Sequence, residues 1–69
     1  MDEKTKELIA IGAAITAHCQ PCLTFHANKA REIGLTDEEI REAIAVGRLV
    51  EQGSMNAMRE FSDGVTRKA

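Results

Sequence analysis

The sequence predicts an all-α protein: three main helices, a short C-terminal helix, and association into an oligomer. Three observations predict it. Apolar residues recur at helical spacing in three successive stretches, within residues 2–17, 21–33 and 40–50. Pro21 and Gly34 punctuate those stretches, one where a helix can start and one where a helix can stop. Thr36, with Glu39 three residues on, forms a capping box ahead of the third stretch.

Asp2 and Glu3 stand at the head of the first helix, where the backbone dipole favours anions. Leu8, Ile9, Ile11, Ala13, Ala14, Ile15 and Ala17 are apolar almost all round, so this helix is expected to be buried on more than one side. Gly12 costs about 1 kcal/mol of helix propensity against Ala. Together with the neighbouring alanines it leaves room for another backbone to come close. Glu7 heads the stripe Ile11, Ala14, His18. It reads either as a first-turn carboxylate in water near Lys4 and Lys6, or as a buried proton carrier.

A break is expected at Cys19 to Pro21. The residue before a proline avoids the α region, and proline suits the first helical position. Gln20 is therefore the expected cap, with Cys19 just outside or at the cap, and Pro21 the first residue of the second helix, which carries Cys22 in its first turn and runs through Phe25, Ala27, Ala30 and Ile33 to Gly34. The third helix carries Ile40, Ala43, Ile44, Gly47 and Val50 on one stripe, with Val46 and Leu49 widening it and Arg41, Glu42, Arg48 and Glu51 on the wet side. Gln52-Gly53-Ser54 is a weak break. Met55, Met58 and Phe61 follow at threes, marking a short fourth helix or a continuation of the third, with their stripe in a core or a subunit interface. Ser62-Asp63-Gly64 should end it, and Val65 to Ala69 should fray.

Composition narrows the function. The 69 residues allow one domain, 1–69. The apolar fraction is 43%, but much of it is alanine, with two Phe and no Trp or Tyr. One copy has a thin core, so a homo-oligomer is expected. A net charge of −2 with no basic stripe argues against nucleic acid as a partner. No apolar run approaches the ~20 residues of a membrane span. The charged N-terminus does not read as a signal peptide, so a cytoplasmic protein is expected. In a reducing compartment, a close cysteine pair points to catalysis or metal binding rather than a structural staple.

That pair is Cys19 and Cys22, in the stretch Cys19-Gln20-Pro21-Cys22-Leu23-Thr24-Phe25-His26. On a helix, steps of three and four share a face, so two thiols and an imidazole line up. A helix N-terminus and a nearby imidazolium favour the thiolate over the thiol. A thiolate can attack a peroxide to give a sulfenic acid, which a second thiol converts to a disulfide. An outside dithiol resets the pair by exchange. These rules leave open which cysteine attacks. If the first two helices form an antiparallel hairpin turning near Cys19, His26 lies about 10 Å beyond the turn and Glu7 about 16 to 18 Å before it. One helical turn separates them in height, so a Glu–His–Cys proton relay fits.

Glu7, Cys19, Cys22 and His26 together resemble the E-x11-C-x-x-C-x3-H signature of the AhpD-like alkylhydroperoxidases, within the carboxymuconolactone decarboxylase superfamily. Gly34-Leu35-Thr36-Asp37-Glu38-Glu39-Ile40 and the Ala/Val-rich helix after it resemble the same family, and the likeness covers roughly residues 3 to 61. It implies an all-helical trimer or hexamer with active sites near subunit contacts. It implies that Cys22 is the peroxidatic nucleophile, Cys19 the resolving thiol, His26 the group that handles the thiol proton, and Glu7 its relay. It further implies a peroxide or disulfide substrate and a thiol or dithiol-protein electron donor; no cofactor and no metal are expected. The best-characterised members carry a second histidine just before the second cysteine; this chain has Pro21 there. His18, just before Cys19, is expected to point to solvent.

Two other readings compete. Cys19, Cys22 and His26, with His18 or Glu7, are acceptable zinc ligands, although no second ligand pair follows downstream. A non-catalytic helical oligomerisation module with an inert cysteine pair is the other.

Overall fold

The computed structural model describes residues 1–67, all of them in helices or short connections. Helix α1 spans Glu3–Ala17, α2 Gln20–Glu32 and α3 Asp37–Arg67. The fold is all-α, as the periodicity predicts.

Each helix end has a local cause. Asp2 caps α1, its Oδ1 accepting the Thr5 N–H at 2.7 Å. The capping box forms reciprocally: Glu39 N–H donates to Thr36 Oγ1 at 3.1 Å, and Thr36 N–H donates to Glu39 Oε1 at 2.9 Å. At the end of α2, Gly34 takes a φ of +98°. Its N–H bonds Arg31 O at 3.1 Å and the Leu35 N–H bonds Ala30 O at 2.9 Å, closing a Schellman turn. Leu35 and Ala30, joined by that turn, both lie in the core.

These caps make acid stability predictable in sign. The backbone N–H of Thr5 holds the Asp2 carboxyl below its usual pKa, the backbone N–H of Thr36 does so for Glu39, and the Arg31 side chain does so for Asp37. A folded-state pKa lowered in this way adds stability above the unfolded value and loses it as pH falls through the folded value. Thermal unfolding midpoints should therefore hold down to about pH 4 and drop below it. A melting temperature flat from pH 5 to pH 2 would contradict this.

Helix α1 is the middle element. It packs on both α2 and α3, which barely touch each other. The core consists of Ile11, Ala30, Leu35 and Ile40, with Leu8, Leu23, Ala27, Ala43 and Ile44 packed around it. Helix α1 buries Glu7, Ile11 and Ala14 on one stripe only, while Ile9, Ala13 and Ala17 stay exposed. The expectation of burial on several sides is not met within one chain. Those residues face outward, and Ile9 and Ala13 border a groove of about 590 Å³ that Val46 and Val50 of α3 also line. Where α1 and α3 cross, Gly47 packs against Gly12. A Cβ on Gly47 would lie 2.7 Å from Gly12 O and 3.1 Å from Gly12 Cα. The Thr16 hydroxyl sits at this crossing, 3.3 Å from both Gly12 O and Gly47 O.

Two boundaries differ from the sequence reading. Cys19, not Gln20, caps α2, and Pro21 is the second helical residue, because the Cys19 sulfur itself accepts a first-turn N–H. Helix α3 is unbroken for 31 residues. Neither Gln52-Gly53-Ser54 nor Ser62-Asp63-Gly64 interrupts it, there is no separate short C-terminal helix, and Val65 to Arg67 are helical rather than frayed. Lys68 and Ala69 of the expected tail lie outside the described residues. At 1.5 Å per residue such a helix is about 46 Å long. The molecule measures 56 × 21 × 19 Å, and residues 52–63 are all exposed. Met55, Met58 and Phe61 are therefore not part of this chain's core.

Candidate active site

The head of α2 assembles the cysteines. After α1, His18 adopts a left-handed φ of 56°. Its N–H bonds Ile15 O at 3.1 Å and the Cys19 N–H bonds Ala14 O at 3.0 Å, the same turn that ends α2 but without a glycine. The chain thus reverses in two residues and delivers Cys19 to the cap of α2. Cys19 Sγ lies 3.3 Å from the Cys22 N–H, in the position an oxygen usually holds. Free N–H groups and the helix dipole favour negative charge on a sulfur placed there. Cys19 and Cys22 are joined in a disulfide, their Cα atoms 5.2 Å apart. Cys19 is half-buried and Cys22 is exposed.

One turn beyond Cys22, His26 Nδ1 hydrogen-bonds Glu7 Oε1 at 2.7 Å. Glu7 is only 3% exposed, and it is the buried charged residue of the core. The His26 side chain is 31% exposed, so the pair spans from core to surface. An ionised carboxylate can only accept, so Nδ1 carries the hydrogen and Nε2 keeps the lone pair. That leaves Nε2 as the ring atom able to take a proton from a thiol. The Phe25 ring meets the His26 ring edge to face, with centroids 5.0 Å apart.

The structure therefore brings the four predicted residues into two bonded pairs, Cys19 with Cys22 and Glu7 with His26. The first-turn, solvated reading of Glu7 fails because Ile11 and Ala14 carry its stripe against α2. His18 is largely exposed, as expected, yet its Nε2 pairs with Glu51 Oε2 of α3. Glu51 was missed: the sequence places it on the wet side of α3, and its partner lies 33 residues away. Among the described residues, no three His, Cys, Asp or Glu side chains converge as a metal site would require. No helix among them is long and apolar enough to cross a membrane.

A small all-helical fold with a cysteine pair at a helix head and a buried carboxylate–imidazole pair one turn on defines a recognisable class. Residues 1–64 match the carboxymuconolactone decarboxylase family, and the chain belongs to that family. It is similar to "Uncharacterized protein 4 in cox locus" of Paracoccus denitrificans, with 39% identity over 57 residues, which is 83% of this chain and 51% of that protein. It is also similar to an "Uncharacterized protein" of Haemophilus influenzae, with 47% identity over 30 residues, which is 44% of this chain and 26% of that protein. The chain thus spans about half the length of the first of these curated relatives and about a quarter of the second. No solved structure matches.

Proposed function

We propose that this protein is a thiol-dependent oxidoreductase whose Cys19–Cys22 pair cycles between dithiol and disulfide, reducing a peroxide or a disulfide as AhpD-like members of the family do. The observation that carries this reading is the buried Glu7 carboxylate bonded to His26, one turn from an exposed, disulfide-bonded Cys22. A purely structural staple has no use for a buried proton-handling pair beside it.

In the peroxidatic direction, His26 Nε2 takes the Cys22 proton and Glu7 stabilises the charged ring. The Cys22 thiolate attacks one peroxide oxygen. The O–O bond breaks, and the leaving alkoxide takes a proton from His26 to depart as an alcohol. Cys22 is now a sulfenic acid. The Cys19 thiolate attacks its sulfur, the S–S bond forms, and hydroxide leaves as water after protonation. Two electrons from an external thiol or dithiol protein return the pair to the reduced form.

A second copy of the chain is proposed to cover the outer face of α1 and the projecting half of α3. A free helical segment of that length is marginal in water, and Met58 and Phe61 stand exposed on it. A trimer or hexamer is the assembly that the family likeness implies.

The test of the redox reading is mass spectrometry of alkylated protein before and after a peroxide pulse. Starting from reduced protein, the wild type should lose two free thiols per chain as the Cys19–Cys22 disulfide forms. Cys22→Ser should lose none to an internal disulfide. Retention of both thiols in the wild type, under peroxide and under a disulfide oxidant alike, would overturn the assignment.

A further inference from the structure

The relay described above leaves one carboxylate–imidazole pair unused. His18 Nε2 is bonded to Glu51 Oε2. The pair joins the last turn of α1 to the middle of α3, and it stands directly before Cys19 in the chain. The left-handed backbone at His18 is uncommon for a residue with a side chain. Glycine would make the same turn without strain. The imidazole is therefore placed here at some conformational cost, and the turn alone does not require it.

His18 and Cys19 also line one recess of about 250 Å³, whose other walls are Ala14, Ile15, Gln20 and Leu23. Those four residues carry no titratable group. Glu51 from α3 is bonded to the His18 ring, and Cys19 at the head of α2 shares the recess with it. Glu51 is partly shielded, its side chain 28% exposed, while that of His18 is 69% exposed. Water and external thiols can reach the ring.

We infer that Glu51 and His18 form a second proton-handling pair, dedicated to Cys19, which makes Cys19 the leaving sulfur when the disulfide is opened. This rests on the redox reading of the pair. The exposed Cys22 sulfur receives a donor thiolate. A bond forms between the donor sulfur and Cys22, the Cys19–Cys22 bond breaks, and its electron pair stays on Cys19. The Cys22 N–H at the helix head and a proton on the His18 ring both stabilise that charge. A second donor thiolate attacks the donor sulfur, releasing the donor disulfide and the Cys22 thiolate. Two donor thiols are oxidised and one protein disulfide is reduced. Glu51 is the positioning residue, holding the ring by Nε2. The two histidines divide the work: His26 with Glu7 serves Cys22, and His18 with Glu51 serves Cys19.

The test isolates Cys19 in the full-length Cys22→Ser protein and follows its alkylation by iodoacetamide against pH. His18→Gly keeps or eases the left-handed turn while removing the ring, so it separates geometry from chemistry. Glu51→Gln keeps a hydrogen-bond acceptor and removes the charge. Each should move the midpoint of Cys19 alkylation upward by about half a pH unit or more. With both cysteines present, each should slow opening of the disulfide by glutathione roughly threefold or more, since a poorer leaving thiol departs more slowly. An unchanged midpoint in His18→Gly, with circular dichroism showing an intact fold, would overturn the inference. That failure is distinct from failure of the redox reading, in which the wild type itself forms no disulfide on oxidation.

Discussion

Glu7→Gln should slow peroxide- or disulfide-driven oxidation of the cysteine pair by about 10²-fold or more, within the range that a positioned acid–base group contributes. The substitution is nearly isosteric. Its amide can still bond His26 Nδ1, so the core around Ile11 and Ala30 should keep its packing. What it removes is the negative charge held against the His26 ring at the edge of the core. The measurement is the rate of free-thiol loss after a peroxide pulse, with circular dichroism as the check on folding. Rates within about threefold of the wild type in a folded protein would remove Glu7 from the mechanism. Phe25→Ala is a useful companion, since it removes the edge-to-face partner of the His26 ring without touching the charge.

Gly47→Val should unfold the protein or cost about 3 kcal/mol or more, from overpacking of a tight contact combined with the poor helix propensity of a β-branched side chain. The Cβ alone would lie 2.7 Å from a backbone oxygen of α1 and 2.9 Å from Ile15 Cβ. Backbone cannot step aside as the tip of a long side chain can, so α1 and α3 must separate. Stability for 69 residues is of the order of 3–10 kcal/mol, so a loss of this size is a large share of the whole. Gly47→Ala should show the same sign at a smaller size, its propensity gain offsetting part of the clash. Gly53→Ala is the control, because nothing lies within 4 Å of a Cβ there. It should stabilise the exposed helix by up to about 1 kcal/mol. Urea midpoints for the three variants decide the matter. Equal midpoints for Gly47→Ala and Gly53→Ala would refute the tight crossing.

Much of this was legible in the residues, and the exceptions share a cause. Local chemistry could be read directly: the Thr36–Glu39 box, the Gly34 stop, and the Cys19, Cys22, His26 spacing all depend on neighbours within four residues. Features set by distant partners could not. Glu7 looked ambiguous because its burial depends on α2 folding back across it. Glu51 looked like a solvated charge because the residue it meets belongs to the first helix. The error at Gln52-Gly53-Ser54 runs the other way. Gly53 and Ser54 are weak helix formers, but the cost of each is about 1 kcal/mol or less, and a helix already nucleated by its capping box extends through them. The α2 cap lies at Cys19 rather than Gln20 because the Cys19 sulfur accepts the Cys22 N–H.

The carboxylate of Glu7 and the ring of His26 come from different helices, and their union has a practical consequence. A synthetic peptide spanning residues 19–34 would contain both cysteines and the imidazole, and could still close its disulfide, but it would lack the acid group that α1 contributes. If the cysteine pair cycles as proposed, its rate in the intact chain gauges whether the hairpin is closed, and gentle denaturants should slow thiol loss as soon as α1 lifts away, before the helices themselves have melted.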